Sequence, residues 1–411
     1  MRARSTPSCG CVPRGELTCT EASARSPNWT ASEVATQILR PQDASQLAGF
    51  VKEAAQKQTV LTTRAGNSKW DLGCRESKQP TEQVISLDAL SGIVSYEPGE
   101  LVLVVGAGTP LRQIEQLLSD EGQHLAFEPV HWRDTATAGG TVAVGLAGPR
   151  RFRAGGVRDF VLGLQFVDGQ GRLVRTGGRV VKNVTGYDLW RGLTGSFGSL
   201  GLITEICFKL WPRPQTQRTL LLARQDLETA RRVMLELAQR PEDLTGIAFA
   251  PHRGVSLRLE GSDRGLQPQI DAIARDVDVE EELPQIESAN FWSQLREVEA
   301  LRQSSGRVWR FVLPAGHWVA LVHDLQAAQV DDYFVDWGGG LVWALAPPEQ
   351  TLDGHRIAER HGAIAWRVAT SLDDPNELGM PSLEPGLKRL NQRLRTACDP
   401  GGILNPGRSG L

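Results

Sequence analysis

The sequence predicts an α+β protein built from two or three packed domains. Apolar runs of strand length alternate with amphipathic helical stretches, and no long repeat is present. The chain has 411 residues, and domains commonly contain about 100 to 200 residues. Residues 211–214 read Trp-Pro-Arg-Pro, and proline interrupts strand pairing and stiffens a linker. This segment is therefore the predicted boundary between the first and the second domain.

The composition is that of a soluble globular protein and excludes a mainly disordered chain. Lys and Arg number 45 against 48 Asp and Glu, so the formal charge is −3. This balance gives no general attraction to nucleic-acid phosphates or anionic membranes, which requires concentrated Lys and Arg. The sequence also lacks a secretory signal and an apolar run near the roughly 18 residues of a spanning helix. We therefore expect a cytoplasmic protein with no transmembrane segment and no nucleic-acid partner.

Six cysteines are too few for a disulfide scaffold. Cys9, Cys11 and Cys19 lie among Pro, Ser, Thr and Arg residues that cannot form a core. They could hold a metal with a fourth ligand from elsewhere, but this setting favours free thiols in a flexible extension over residues 1–35. The sequence contains neither a CxxC pair nor a CxxCxxC run, so we expect no iron–sulfur site in this chain.

The elements of the first half read as repeated combinations of strand, glycine turn and helix. A helix is predicted to begin near Asp43, and a second is predicted with Thr109 as its N-cap, Pro110 at its first position and Gly122 at its end. Strands are predicted at residues 59–63, 101–105, 162–167 and 202–210.

The second half is less regular. It predicts helices at 227–239 and 290–302 and strands at 246–250, 308–313 and 340–345. Residues 398–408 are rich in turn formers and predict a loop that the rest of the molecule holds in place.

Glycine is the informative excess, since many of its 43 copies lie between Gly66 and Gly201. A glycine turn after the strand at 59–63 can point successive N–H groups at an anion. Its residues are Arg64, Ala65, Gly66, Asn67 and Ser68. Residues 137–143 form a second small-residue cluster, followed by interleaved glycines and arginines up to residue 159. Taken singly, each cluster could be an ordinary packed turn, whereas together they favour a site built from main chain.

Residues 104–108 also allow a dinucleotide-binding interpretation of the Rossmann type. That fingerprint needs a third glycine at position 111, where this chain has Leu111. Glu128 stands where an acid could reach a ribose. A strand, a turn and an amphipathic helix explain the same residues without a ligand.

Five motifs, in their residues and in their order along the chain, resemble those of the flavoprotein family of vanillyl-alcohol oxidase and D-lactate dehydrogenase. The motifs are Arg-Ala-Gly-Asn-Ser (64–68), Thr-Ala-Gly-Gly-Thr (137–141), Gly-Val-Arg-Asp-Phe-Val-Leu-Gly (156–163), Lys-Asn-Val-Thr-Gly-Tyr-Asp-Leu (182–189) and Gly-Ser-Phe-Gly-Ser-Leu-Gly (195–201). Asn-Pro-Gly-Arg at 405–408 is similar to the family's C-terminal turn. Within the family, the chain most resembles FAD-binding subunits of glycolate oxidases.

The resemblance implies a two-subdomain PCMH-type FAD-binding domain at 36–214, an α+β cap domain at 217–395 and a C-terminal turn at 396–411 that returns to the FAD site. Residues 64–68 would bind the pyrophosphate, and Gly139, Gly140 and Thr141 would form a second wall. The remaining implied contacts are Gly148 and Arg151 along the ribityl and diphosphate, Val157 and Arg158 near the flavin, Ile203 beside the adenine, and Asn405 toward the isoalloxazine.

Two departures from the family pattern shape the functional prediction. Members with covalent flavin often carry His in the first turn, where this chain has Asn67, so we expect dissociable FAD. Relatives that oxidise 2-hydroxy acids carry His-x-His and His-Gly-Asp-Gly-Asn patterns, which none of the seven histidines reproduces. His361 in His-Gly-Ala comes nearest and is interpreted as an ordinary structural residue. The catalytic residues therefore stay unidentified, and no metal is predicted.

The resemblance predicts an FAD-dependent oxidoreductase subunit that acts on glycolate. Its partners would be a second, catalytic FAD-binding subunit and an iron–sulfur subunit, with membrane contact at most peripheral and through those partners. A stand-alone dehydrogenase for D-lactate or another 2-hydroxy acid is the alternative enzyme. A non-catalytic assembly subunit is the alternative of a different class.

Overall fold

The computed structural model describes residues 38–73, 82–179, 187–368, 379–380 and 383–410. The predicted extension at 1–35 and residues 182–186 of the fourth motif lie outside the described residues. All described residues belong to one compact unit, Gln37–Leu411. Helices and strands are mixed along this unit, which confirms the α+β fold class.

The part of the chain before Arg213 contains ten described strands. They are β1 (Ile38–Leu39), β2 (Val60–Arg64), β3 (Glu82–Ser86), β4 (Ile93–Glu97), β5 (Val102–Gly106), β6 (Gln123–His124), β7 (Val161–Val167), β8 (Leu173–Gly177), β9 (Leu202–Lys209) and β10 (Trp211–Pro212). The helices among them are α1 (Ala44–Lys57), α2 (Leu111–Asp120), α3 (Ala138–Val144), α4 (Arg151–Ala154), α5 (Val157–Phe160) and α6 (Trp190–Leu193).

These strands form two main sheets. A parallel sheet has the order β1-β3-β2, and an antiparallel sheet has the order β4-β5-β9-β7-β8. Every residue of β5 and β7 is buried, as expected for strands inside a sheet that is covered on both faces. Helix α2 covers one face with Leu111, Ile114 and Leu118, each of which is fully buried. The glycine motifs therefore sit on loops and helix ends around a rigid core.

The rest of the chain builds one large antiparallel sheet. Its strands are β11 (Thr216–Leu222), β12 (Leu244–Ala250), β13 (Gly254–Gly261), β14 (Val279–Leu283), β15 (Arg307–Val312), β16 (Asp332–Asp336), β17 (Leu341–Ala346) and β18 (Ile364–Arg367). Its helices are α7 (Leu227–Leu237), α8 (Asp263–Ala274), α9 (Gln285–Glu297), α10 (Glu299–Gln303), α11 (Trp318–Ala327), α12 (Gly354–Arg360) and α13 (Pro385–Cys398). The eight strands follow the order β14-β11-β13-β12-β16-β17-β15-β18.

The two faces of this sheet have different partners, because side chains alternate along each strand. Trp309 and Phe311 of β15 join the core beneath helices α7, α8, α11 and α12. Val308 of the same strand joins Trp343 of β17 in a second cluster that includes Trp132 of the first half. We call this second face, which packs against residues 72–146, the inner face of the sheet.

Three predicted element boundaries are wrong. Helix α2 begins at Leu111 and not at Pro110, because the backbone of Pro110 is extended (ψ 136°) and Pro110 is itself the N-cap residue. The hydroxyl of Thr109 donates to Gly106 O instead of capping this helix. The predicted helix at 290–302 is two helices, α9 and α10, because Val298 between them adopts a left-handed conformation (φ 55°).

The third wrong boundary is the end of pairing at residues 211–214. Trp211 and Pro212 still pair with Gln123 and His124 as β10 and β6. Proline is tolerated there because β10 pairs with β6 alone. The nitrogen of Pro212, which has no hydrogen to donate, can therefore face away from β6.

Candidate cofactor-binding site

The predicted first turn leaves strand β2 and exposes a row of backbone donors. Residues 65–68 have backbone N–H groups that donate to no acceptor among the described residues. Asn67 at the apex is exposed and adopts a left-handed conformation (φ 51°). Successive N–H groups around such a residue converge on one concavity and favour an anion there. The turn therefore has a geometry that favours an anion, and its role as a diphosphate-binding loop stays a prediction.

This turn lies directly against the segment that leads into the second cluster. The hydroxyl of Thr135 donates to the carbonyl of Gly66. A Cβ at Gly66 would overlap the carbonyl oxygen of Thr135, so that glycine is required for the close approach. The structure thus brings the two predicted glycine motifs to one place.

The second cluster is a short helix, α3, and so is not the ordinary packed turn that was one of its two interpretations. Its N-cap is Thr137, whose side chain accepts from Gly140 N at 3.2 Å. Gly139 N donates to Ala107 O at 2.7 Å, and Thr141 N to Thr137 O at 3.0 Å. Because these donors are occupied, the second wall can offer a ligand its surface and side chains but not these N–H groups. The hydroxyl of Thr141 is buried and has no hydrogen-bond partner among the described residues.

The C-terminal turn holds the first turn in place, as the loop prediction for 398–408 requires. Asn405 N donates to Leu61 O at 2.9 Å, and its side-chain Oδ1 accepts from Thr63 N at 2.7 Å. Its Nδ2 donates to Gly198 O at 3.2 Å. The side chain of Asn405 therefore ties together strand β2, the loop at 195–201 and the chain terminus. Its predicted reach toward the isoalloxazine stays a prediction.

Arg408 stabilises the residues that directly follow the first turn. Its Nη2 donates to Trp70 O at 3.1 Å and to Leu72 O at 3.0 Å, and its guanidinium lies 4.4 Å from the centre of the Trp70 ring. Arg64 stacks on the same ring at 5.1 Å. Both ends of the first turn are thus anchored through Trp70.

The other predicted contacts lie on separate elements. Gly148 is buried, and a Cβ there would approach Glu128 Cβ at 2.7 Å. The guanidinium of Arg151 lies so close to Gly156 that a side chain at position 156 would collide with it. Arg158 is exposed. Val157 and Ile203 are core residues, 1% and 4% exposed. Their predicted roles beside FAD stay predictions.

Lys69 is a candidate site residue that the sequence analysis did not single out. It directly follows the first turn, is 5% exposed, and donates from Nζ to Ser68 Oγ at 3.2 Å. Burial lowers the pKa of Lys69 to about 8, against the opposing effect of Glu297. A lysine next to a glycine turn was the available signal, but the sequence does not show that this lysine is buried.

A buried ion cluster joins the two halves near Gly148. Arg258 of β13 binds Glu128 through Nη1 at 2.8 Å and Nη2 at 3.0 Å, and Arg150 binds both Glu128 and Glu260. Burial alone would raise the pKa of Glu128, but Arg150 and Arg258 outweigh it and lower this pKa to about 2. Glu128 is therefore committed to these arginines and not to a ribose, which removes the observation that supported the Rossmann interpretation.

The histidine interpretation agrees with the structure. His361 caps the end of α12, and its Nε2 lies 2.7 Å from Asp324 Oδ2. Among the described residues, no group of three or more His, Cys, Asp and Glu side chains is placed to hold a metal. The described helices also include none that is long and apolar enough to cross a membrane.

Comparison with known proteins decides the family. Residues 35–177 match the FAD binding domain family. The chain is 38% identical to the glycolate oxidase subunit GlcE of Escherichia coli (strain K12), over 90% of this chain and 99% of that protein. The chain belongs to the PCMH-type family of FAD-binding oxidoreductases. FAD is its cofactor, and this membership confirms the predicted enzyme class.

Other members of this family match shorter stretches. A D-lactate dehydrogenase of Archaeoglobus fulgidus is 29% identical over 49% of this chain and 45% of that protein. The glycolate oxidase subunit GlcD of Bacillus subtilis (strain 168) is 32% identical over 38% of this chain and 31% of that protein. The chain thus covers less than half of these two relatives.

Among solved structures, alkyldihydroxyacetonephosphate synthase has a TM-score of 0.64 at 14% identity, over 90% of this chain and 75% of that one. This likeness supports the fold alone.

The residues present fit FAD. Among the described residues, the backbone N–H groups of residues 65–68 and the buried hydroxyl of Thr141 in helix α3 have no hydrogen-bond partner, so that they can donate to phosphate oxygens. Neutralising a diphosphate mainly with N–H groups needs no excess of basic residues, in agreement with the near-neutral charge.

Proposed function

We propose that this chain is the FAD-binding subunit of a glycolate oxidase complex, which oxidises glycolate to glyoxylate and passes the electrons to partner subunits. The observation that carries this proposal is the 38% identity to GlcE over 99% of that subunit. In the proposed division of labour, residues 36–214 bind the cofactor and residues 217–395 form the cap over the substrate.

The cofactor contacts in this proposal rest on the first turn. Residues 64–68 hold the diphosphate through backbone N–H groups, and Gly139, Gly140 and Thr141 form the facing wall. When bound, FAD supplies the hydride acceptor for oxidation of a 2-hydroxy acid. The residues of the chain bind and orient this cofactor. Because the apex residue is Asn67 and not a nucleophile, the FAD is dissociable.

The proposed partners are a second, catalytic FAD-binding subunit and an iron–sulfur subunit. Two relatives, GlcE and GlcD, are named as subunits of glycolate oxidase, and this sequence has no CxxC pair to hold an iron–sulfur cluster. We place the complex in the cytoplasm, with any membrane contact made through the partners.

A stand-alone dehydrogenase for D-lactate is the second candidate. The observation that favours it is the 29% identity to the D-lactate dehydrogenase of Archaeoglobus fulgidus. The shorter match to that protein makes it the weaker proposal.

Anaerobic titration of the purified, FAD-loaded chain separates these functions. The chain should be yellow, and glycolate should bleach its flavin once the partner subunits are added. Full-rate oxidation of glycolate or D-lactate by the chain alone would contradict the subunit role. Flavin that no 2-hydroxy acid reduces, with or without the partners, would show a cofactor that is structural only.

A pair of variants tests the facing wall. A side chain at Gly140 would meet only Thr137 Oγ1, at 3.2 Å from the Cβ. Gly140→Ala should therefore retain FAD, whereas Gly140→Asp places a carboxylate near the diphosphate and should lose it. Equal FAD content in the two variants would remove α3 from the site.

A further inference from the structure

Arg310 occupies the middle of the inner face of the large sheet, within a box of tryptophan rings. In the β-ladder it stands opposite Trp343 of β17 on one side and Trp366 of β18 on the other. Its guanidinium carbon lies 5.8 Å and 4.8 Å from the centres of these two rings, and 5.3 Å from the ring of Trp337. Three aromatic faces thus surround one cation.

This cation has no counter-ion among the described residues. Arg310 is 8% exposed, and among the described residues no carboxylate lies within 4.0 Å of it and its Nε has no hydrogen-bond acceptor. Arg258 is also buried, but its charge is paired in the usual way, because both of its terminal nitrogens bind the carboxylate of Glu128. A buried charge without a partner is costly, so that an anionic ligand that pairs with it would offset this cost.

A second cation lies beside the box. The guanidinium of Arg151 stacks on the ring of Trp337 at 4.6 Å, and no carboxylate of the described residues pairs with it within 4.0 Å. Burial and the nearby Arg151 lower the pKa of Arg310 to about 9. Two neighbouring positive charges, of which that of Arg310 is buried and that of Arg151 is exposed, favour an anion between or beside them.

The box also adjoins the segment that is proposed to run along the cofactor. The indole Nε1 of Trp337 donates to Gly148 O at 3.0 Å, and Gly338 packs against Phe152. Arg310 therefore reaches from the cap toward residues 148–158.

We propose that Arg310, assisted by Arg151, binds the carboxylate of the small organic acid that this chain accommodates. This inference rests on the proposed function and adds the cation that substrate binding requires. A carboxylate fits the planar fork of one guanidinium through two parallel hydrogen bonds. The cofactor diphosphate has its own donors in the first turn, so that a small carboxylate is the better match for the tryptophan box.

The test measures binding of oxalate, a dicarboxylate that carries no hydroxyl to oxidise, to the FAD-loaded chain by calorimetry. Arg310→Met should weaken oxalate binding by at least about tenfold, as expected for loss of a charge-assisted pair. Binding of neutral glycolamide and the FAD content should not change. Arg253→Met is the matched control, because Arg253 also stacks on an aromatic ring, Phe291 at 5.5 Å, but lies in the β12–β13 turn.

The outcomes separate the anion site from other roles. Oxalate affinity of Arg310→Met within twofold of that of the unaltered chain would overturn the proposal. Loss of FAD from this variant would assign the cation to the cofactor phosphates and would also overturn it. If Arg310→Met does not fold, Arg310→Lys keeps the charge without the planar fork, and oxalate binding that is equally tight in this variant would contradict the bidentate site.

The test does not depend on the proposed oxidation. A chain that binds oxalate through Arg310 but leaves glycolate unoxidised with its partners would contradict the proposed function while supporting this site.

Discussion

The first turn and the tryptophan box prepare for negative charge in opposite ways. Residues 65–68 present backbone N–H groups that carry no net charge. Hydrogen bonds that Thr135, Asn405 and Arg408 make with the turn and its flanking residues hold these donors in place. The tryptophan box presents a full charge on one buried side chain, Arg310, inside a sheet. The N–H groups of the turn carry no net charge to desolvate, whereas the box carries a permanent desolvation penalty.

The difference suggests a division of labour between the two halves. A backbone nest recognises phosphate with little dependence on side-chain identity, so it suits a cofactor common to a family. A single buried guanidinium distinguishes charged from neutral ligands, so it suits the selection of a substrate. Substitutions at the main-chain contacts of the first turn should therefore affect FAD binding, and substitutions within the large sheet should affect stability or substrate binding.

Gly66→Ala should have the largest effect, on the cofactor side. The new Cβ would overlap the carbonyl oxygen of Thr135 and force the two glycine motifs apart. We expect FAD affinity to fall by at least about 100-fold, since several phosphate hydrogen bonds worth about 1.5–3 kcal/mol each are displaced. The flavin-to-protein absorbance ratio after gel filtration measures this loss.

The matched control for this change is Gly49→Ala. Gly49 lies in α1 and has no atom within 4 Å of its would-be Cβ. It should keep FAD and gain up to about 1 kcal/mol of stability from helix propensity. If Gly66→Ala retained FAD as well as this control does, the close contact between Gly66 and Thr135 would not be needed for FAD binding.

Glu128→Gln should have the largest effect on stability, because it leaves Arg150 and Arg258 without their shared carboxylate. Removing one partner from a buried ion cluster costs about 3–5 kcal/mol. Denaturant unfolding at pH 7 measures this cost.

Glu53→Gln is its control, since the pair of Glu53 with Lys57 is solvent-exposed. It should cost less than about 0.5 kcal/mol. Similar costs for the two variants would show that the cluster does not hold the halves together.

Asp336→Asn should change the pH dependence of stability. Burial raises the pKa of Asp336 to about 7. The folded protein therefore binds a proton that the unfolded chain releases near its ordinary pKa of 3.8, and stability falls as the pH rises from about 4 to 7. The variant lacks this slope, so it should be more stable than the unaltered chain above pH 7, by at most about 4 kcal/mol.

The two proteins should be nearly equal near pH 4. Unfolding curves from pH 4 to 8 provide the comparison, and parallel stability profiles would mean that Asp336 is ionised throughout.

Asn405→Ala should have a smaller effect, which is divided between the stability of the fold and the affinity for FAD. The change removes the acceptor of Thr63 N and the tie to Gly198 O. Leaving a buried N–H unsatisfied costs about 1–3 kcal/mol, and the loosened first turn should bind FAD about tenfold more weakly. Calorimetric FAD titration beside thermal unfolding would detect both. Weaker unfolding stability with unchanged FAD affinity would restrict the C-terminal turn to a structural role.

The sequence predicted local features of the molecule better than its long-range contacts, for a physical reason. Turns and helix ends are local, and glycine at position 66 and turn formers at 398–408 encode them directly. The α+β class, seven of the eighteen described strands and the family followed from such local signals. The start of α2 and the break at Val298 were mispredicted because an extended Pro110 and a left-handed valine are conformations that the composition does not signal.

The tryptophan box was not predictable from the sequence. Arg310, Trp343 and Trp366 are brought side by side by the register of three strands that are far apart along the chain. The same is true of Arg258 and Glu128, whose contact joins residues 130 positions apart. Long-range register, and not residue type, decides which arginine finds a carboxylate and which does not.

The central claim is that the unpaired N–H groups of residues 65–68 bind the diphosphate of FAD, and a comparison of FAD with riboflavin tests it most directly. Riboflavin has the same ring system and no phosphate. Fluorescence titration of the flavin-free chain should show FAD binding at least about 100-fold tighter than riboflavin, with ADP competing for the site. Riboflavin binding as tight as that of FAD, or FAD binding that ADP leaves unchanged, would contradict the account.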